Sequence, residues 1–146
     1  MADTQQSYKN HAQIVPLYHR WLFGLLLLTL IGSAVNLTKS WGDSTRFYSA
    51  SLILMLTILL VLVAFFARTF ALKAQDRVIR AEEQFRHYVL TGKLLDPRLT
   101  MRQIIALRFA SDGEFVALAQ RAAEQGLSAD AIKQDVKQWR ADTHRL

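Results

Sequence analysis

The sequence predicts an all-α chain: a two-helix transmembrane hairpin, its second helix extended into the cytoplasm, followed by a cluster of three short helices. Three observations predict it. Two apolar runs, residues 21–37 and 47–67, carry no charged side chain. Neither glycine nor proline interrupts residues 47–90, so the second helix is expected to continue well past its apolar part. Beyond Pro97, Thr100, Ser111 and Ser128 each stand where a short amphipathic stretch begins.

The first run reads WLFGLLLLTLIGSAVNL. At the helical rise its length is about 25 Å, near the short end of what crosses hydrocarbon. Tyr18, His19 and Trp21 at one end and Trp41 beyond the other are expected at the membrane–water interfaces. The second run is long enough to span with some tilt. Residues 38–46 form the expected external loop. A cleaved signal peptide is not expected, because 20 residues precede the first run. Thr29, Ser33, Asn36, Ser51 and Thr57 are polar but not ionisable, so neither span offers the usual mark of a proton or ion path. Gly32 and Asn36, four apart, offer a small surface for close approach of a neighbouring helix, the plainer alternative being that the hairpin packs on itself.

Charge sets the orientation. The formal net charge is +6. Residues from Arg68 onward carry 14 Lys/Arg against 10 Asp/Glu, whereas the first 67 carry 4 against 2. Arg68, Lys73, Arg77 and Arg80 follow the second run, while the loop has only Lys39 and Arg46, offset by Asp43. The positive-inside rule therefore puts the C-terminus in the cytoplasm, and two spans return the N-terminus to the same side. Those four cations are expected to contact lipid headgroups. The resulting division is residues 1–20 as an N-terminal cytoplasmic or interfacial segment, 21–72 as the hairpin and 73–146 as a cytoplasmic helical region.

Within that last region, Ala71, Ala74, Val78, Ala81, Phe85 and Tyr88 recur at spacings of 3 and 4, a narrow coiled-coil-like seam. Its cover is expected to be the C-terminal helices or else a partner helix, from a second copy or another protein. Asp76 with Arg80 and Glu82 with Arg86 are i, i+4 pairs. Gly92 suits a helix end and Asp96-Pro97 a turn. Thr100 with Gln103 and Ser111 with Glu114 read as capping boxes. The last helix is expected to carry Ile132, Val136 and Trp139 on one face. The stretch from Ala122 through Gly126 to Ile132 has helix-turn-helix spacing. However, Asp130, Asp135 and Asp142 balance Lys133, Lys137 and Arg140, so the basic excess that phosphate contact needs is missing.

The expectation for chemistry is a non-enzyme without metal or cofactor. Cysteine is absent, which removes thiolate ligands, thiol nucleophiles and disulfides. His11, His19, His87 and His144 are too far apart in sequence for a His-rich or HExxH site, and no span offers a paired haem ligand. Glu82 and Glu83 diverge by about 100° around a helix, so they do not form a facing acid–base pair. No G-x-S-x-G, P-loop or GxGxxG occurs.

Several segments together resemble a family of small bacterial membrane proteins known only as a domain of unknown function. They are Tyr8-Lys9-Asn10-His11 with Pro16-Leu17-Tyr18-His19, and Phe70-Ala71-Leu72-Lys73 with Gln75-Asp76-Arg77 and Ile79-Arg80. To these add QIIALRFASD from Gln103 to Asp112, and Ile132-Lys133 with Trp139-Arg140-Ala141-Asp142. The resemblance implies two spans and a helical tail, with no activity to inherit; Gly113 departs from it, since an acidic residue is more usual there. It also implies a recognition segment at the headgroup level over Tyr8 to His19. The leading expectation is a non-catalytic inner-membrane protein that presents a helical module to a protein partner, as an accessory subunit, with Phe109, Phe115 and Trp139 among its surfaces. The second is a membrane-tethered nucleic-acid-binding or regulatory module.

Overall fold

The computed structural model describes residues 7–8 and 15–142. The chain is helical throughout, with no β-strand among the described residues, and divides into two compact units, Ile14–Ala71 and Leu72–Leu146. A π-helical turn, Leu17–Leu22, leads into α1 (Phe23–Lys39). Then follow α2 (Ser44–Thr91), α3 (Met101–Leu107), α4 (Asp112–Gln125) and α5 (Ala129–Asp135).

Two of these helices are long and apolar enough to cross a membrane, Leu17–Lys39 and Ser44–Thr91. Their most apolar windows are 6% and 11% buried within the chain. Both helices overrun the charge-free runs, so the turn between them shrinks to 40–43. Gly42 takes a positive φ of 95° there. The Asp43 carboxylate accepts from the N–H groups of Thr45 and Arg46, each at 3.1 Å, and so closes the open N-terminus of α2.

In the first unit each helix buries one stripe. On α1 it is Phe23, Leu26, Leu30, Ser33, Leu37 and, at its cap, Ser40; on α2 it is Ala50, Leu54, Thr57, Val61 and Ala64. The spacing alternates 3 and 4, as two helices packed along a shared seam require. The most buried members are small: Ala50, Thr57, Ser33 and Ser40. The hydroxyls of Ser33, Ser40 and Thr57 donate to carbonyls of their own helix one turn back, at 2.8–2.9 Å, so they bring no unsatisfied polar group. The hairpin packs on itself through this set of small residues with self-satisfied hydroxyls, while Gly32 and Asn36 stay exposed.

The second unit has a core of its own. Leu95, Leu99, Ile104, Leu107, Phe115, Leu118, Ala122, Ile132 and Val136 pack together, joined by the buried Phe109. All three helix starts are capped where the sequence places them. Thr100 and Gln103 form a reciprocal box; the Glu114 carboxylate accepts from Ser111 N–H; Ser128 accepts from Ala131 N–H at 3.1 Å. Gly126 closes α4 at φ 63°. Gln103 has a second role: its amide donates to Leu127 O at 2.8 Å, binding the start of α3 to the turn after α4.

The last helix is shorter than its apolar spacing predicts. It ends at Asp135, and Trp139 lies instead in an extended return, bridged antiparallel to Ala110. Ser111 N–H donates to Gln138 O at 3.1 Å and Arg140 N–H to Phe109 O at 2.7 Å. Glu114 explains the change of course, because its carboxylate also accepts from Lys137 N–H (3.2 Å) and Gln138 N–H (3.1 Å). Those two donors would otherwise continue the helix. The spacing of Val136 and Trp139 thus serves a strand-like return as well as it would serve a helix. Glu114→Ala should collapse amide hydrogen-exchange protection at residues 137–140 while that of α3 is retained. The cost should be about 2 kcal/mol, typical of hydrogen bonds to a charged acceptor; equal protection in both chains would rule out the anchor.

Candidate functional site

Helix α2 meets the C-terminal cluster within the second unit through one face. Ile79 and Glu83 on that face are 6% and 5% exposed. Arg86, one turn on, is the centre of the contact. Its Nε donates to Asp112 Oδ1 at 2.7 Å, one terminal nitrogen to Glu83 Oε2 at 3.0 Å, and the other to the backbone carbonyl of Ala110 at 2.7 Å. The guanidinium also lies 4.2 Å from the Phe115 ring centroid. A planar fork with several donors can do this; an ammonium cannot. The sequence pairing of Arg86 with Glu82 is therefore corrected. Arg86 turns toward the cluster, where its acceptors are desolvated, and Glu82 stays exposed. Asp76 and Arg80 make no ion pair among the described residues.

Burial pushes the Glu83 carboxyl above its ordinary value of 4.5, against the opposing hydrogen bond and charge of Arg86 and the charge of Arg140. Arg140 approaches it at 3.9 Å. Beside this contact, Gln75, Ile79, Glu82, Arg108, Arg140 and Asp142 line an open groove, within which Arg108 pairs with Asp142 at 3.1 Å. His87 terminates α2 on the other side, its Nδ1–H donating to Lys93 O at 2.7 Å. Further along, hydrogen bonds from Arg98 hold the half-buried Asp96 carboxyl down to about 2.

Docking on this face leaves the coiled-coil-like seam uncovered. Val78 is 55%, Phe85 68% and Tyr88 53% exposed, and Ala74 and Ala81 are exposed between them. Only Ala71, half-buried, falls in the first unit. The expectation that the C-terminal helices cover the seam is thus corrected. At 100° per residue the seam lies about 150° around α2 from the Ile79–Glu83–Arg86 face. Phe109, Phe115 and Trp139 are corrected in the opposite sense. Phe109 and Phe115 are fully buried and half-buried Trp139 packs on Phe109 at 4.9 Å, so all three serve the core.

The remaining predicted residues are placed as follows. Lys73, Arg77 and Arg80 are exposed. Arg68, half-buried, stands over the Tyr18 ring at 5.9 Å, and Tyr18 donates its hydroxyl to Ala64 O at 2.6 Å. His19 is exposed, its Nδ1 near Val15 N and O. Trp21 and Trp41 are 65% and 81% exposed. Much of the segment from Tyr8 to His19, His11 included, and His144 lie outside the described residues. Among those described, no group of three His, Cys, Asp or Glu could hold a metal ion. The helix-turn-helix lookalike has a second helix of seven residues.

A family of unknown function, DUF6526, matches residues 1–146. The chain belongs to this family. No curated protein and no solved structure matches it. For this DUF6526 chain, the features that sequence reasoning missed are Glu83, Glu114 and the Arg86 fork. Their signal is faint: each is a charged residue close to an apolar core position, as surface charges also are.

Two outcomes follow from the Arg86 contact. Arg86→Ala should destabilise the second unit by about 3–5 kcal/mol, because it strands the Glu83 carboxylate in a buried site. Replacing both by apolar residues, Glu83→Leu with Arg86→Met, should cost much less in chemical unfolding of the detergent-solubilised chain. An equal loss in both variants would show that the charge pairing is immaterial. The second concerns pH. With its folded value raised, Glu83 contributes stability that is complete below 4.5 and is lost as pH rises through the raised value. Glu83→Gln should flatten that part of a stability-versus-pH curve, and an unchanged slope would contradict it.

Proposed function

We propose that this protein is a non-catalytic component of the bacterial inner membrane that presents a cytoplasmic helical module to a protein partner, as an accessory subunit. The single observation that carries the reading is the exposed apolar seam on α2. Val78, Phe85 and Tyr88, each more than half exposed, are joined by exposed Val89 and Leu94. Water-soluble surfaces seldom keep so much contiguous apolar area without using it. The cluster that could have covered the seam is committed to another face through Arg86.

Placement in a bilayer is supported by the first unit. Leu25, Leu28, Met55, Leu59, Val63 and Phe66 point outward, and 47–67 contains no Asp, Glu, Lys, Arg or His. Each hydroxyl of Thr29, Ser33, Ser51 and Thr57 bonds to its own helix, as a hydrocarbon environment requires. Lys73, Arg77 and Arg80 stay exposed for anionic headgroups, each contributing about 1 kcal/mol near the surface. The alternative of a membrane-tethered nucleic-acid module gains nothing from the seven-residue α5, whose Lys133 lies 3.8 Å from Asp130.

Purification from native membranes in mild detergent tests the reading. The chain should run with a stoichiometric partner, either another protein or a second copy, and Val78→Asp with Phe85→Asp should release that partner without removing the chain from the membrane fraction. A chain that runs as a lone monomer before and after the substitutions contradicts it.

A further inference from the structure

We propose that the occupant of the seam is a second copy of this chain, joined through a parallel two-stranded coiled coil over residues 74–88. The inference rests on the partner-presenting reading above and names its partner. In heptad terms, Val78 and Phe85 take the a positions and Ala74, Ala81 and Tyr88 the d positions. The g position before Val78 is Arg77, and the e position after Ala81 is Glu82. In a parallel dimer, g of one helix faces the e position five residues on in the other. Arg77 therefore meets Glu82 of the second copy, and the pairing occurs twice by symmetry.

Each half of that pair is exposed and makes no ion pair among the described residues. Both groups stand on one helix, so the surface is complementary to itself, as a two-fold interface demands. The bilayer supplies the remaining condition. Two copies inserted with one orientation run α2 in the same direction, whereas an antiparallel pair would set g against g and e against e and lose the match. Alanines at two d positions let the backbones approach closely, and Val89 at the next e position, 65% exposed, widens the apolar contact. The docked cluster is centred about 150° from the seam around α2, and Val78 and Glu82, although they border the groove beside it, stay exposed.

The chain has no cysteine, so Ala74→Cys or Ala81→Cys introduces a single thiol into the full-length protein in native membranes. Side chains facing each other at d come within disulfide reach. Oxidation should give a species of twice the chain mass from both variants, and none from Arg80→Cys, an exposed c position. In the Ala81→Cys background, Glu82→Arg should reduce that species several-fold, and adding Arg77→Glu should restore it. Equal cross-linking at all three positions, or a charge swap that is not rescued, overturns the pairing. A thiol at 81 that a bifunctional reagent joins only to a chain of different mass overturns the second copy yet leaves the partner-presenting reading intact. A thiol that joins nothing overturns both.

Discussion

Arg86 decides which side of α2 the C-terminal cluster occupies. An apolar contact between helices can slide by a turn at little cost, since one leucine resembles the next. A guanidinium whose donors are taken by Glu83, Asp112 and the Ala110 carbonyl, with Phe115 stacked beneath it, allows one register. The Ala110 carbonyl belongs to the same short return that Trp139 bridges, so the fork also fixes the loop around which α3, α4 and the extended tail converge. Desolvating Glu83 has a cost, visible in its raised carboxyl. What the contact provides in exchange is orientation. Because the cluster is held on this face, the seam is left bare.

The first unit solves a different problem. In a helical hairpin with so little buried surface, close approach must come from small side chains. Serine, threonine and alanine provide it here, with every hydroxyl among the buried set returned to its own backbone. Larger apolar groups face outward, as the proposed placement in a bilayer requires. The two units thus expose apolar surface for two reasons. On the hairpin it surrounds the helices, as the proposed lipid contact would need. On α2 after residue 72 it is concentrated along one seam through Val78, Phe85 and Tyr88, as the proposed helix partner would need.

Much of this was legible in the sequence. Charge-free length predicts the two long helices, and the absence of glycine and proline predicts that α2 continues to Thr91. The caps at Thr100, Ser111 and Ser128 and the closing Gly126 are local chemistry, readable because each needs only a few neighbouring residues. What was not legible depends on residues far apart in the chain. Nothing near Arg86 announces that its acceptors lie 24 and 26 positions away. Glu114 looks like half of a capping box, and is one, yet the same carboxylate also stops α5 by taking two of its potential N–H donors. Phe109 and Phe115 read as surface anchors because aromatic residues serve both interfaces and cores; only the fold shows them buried.

The proposed placement of the hairpin in a bilayer, with the cluster on the cytoplasmic side, is what every functional statement depends on, and topology mapping tests it most directly. Since the chain has no native cysteine, single thiols at Ser44 and at Lys93 can be probed separately with a membrane-impermeant maleimide on intact spheroplasts. The account predicts labelling at 44 and none at 93 until the membrane is opened. Labelling at 93 in sealed spheroplasts, with 44 protected, would contradict it.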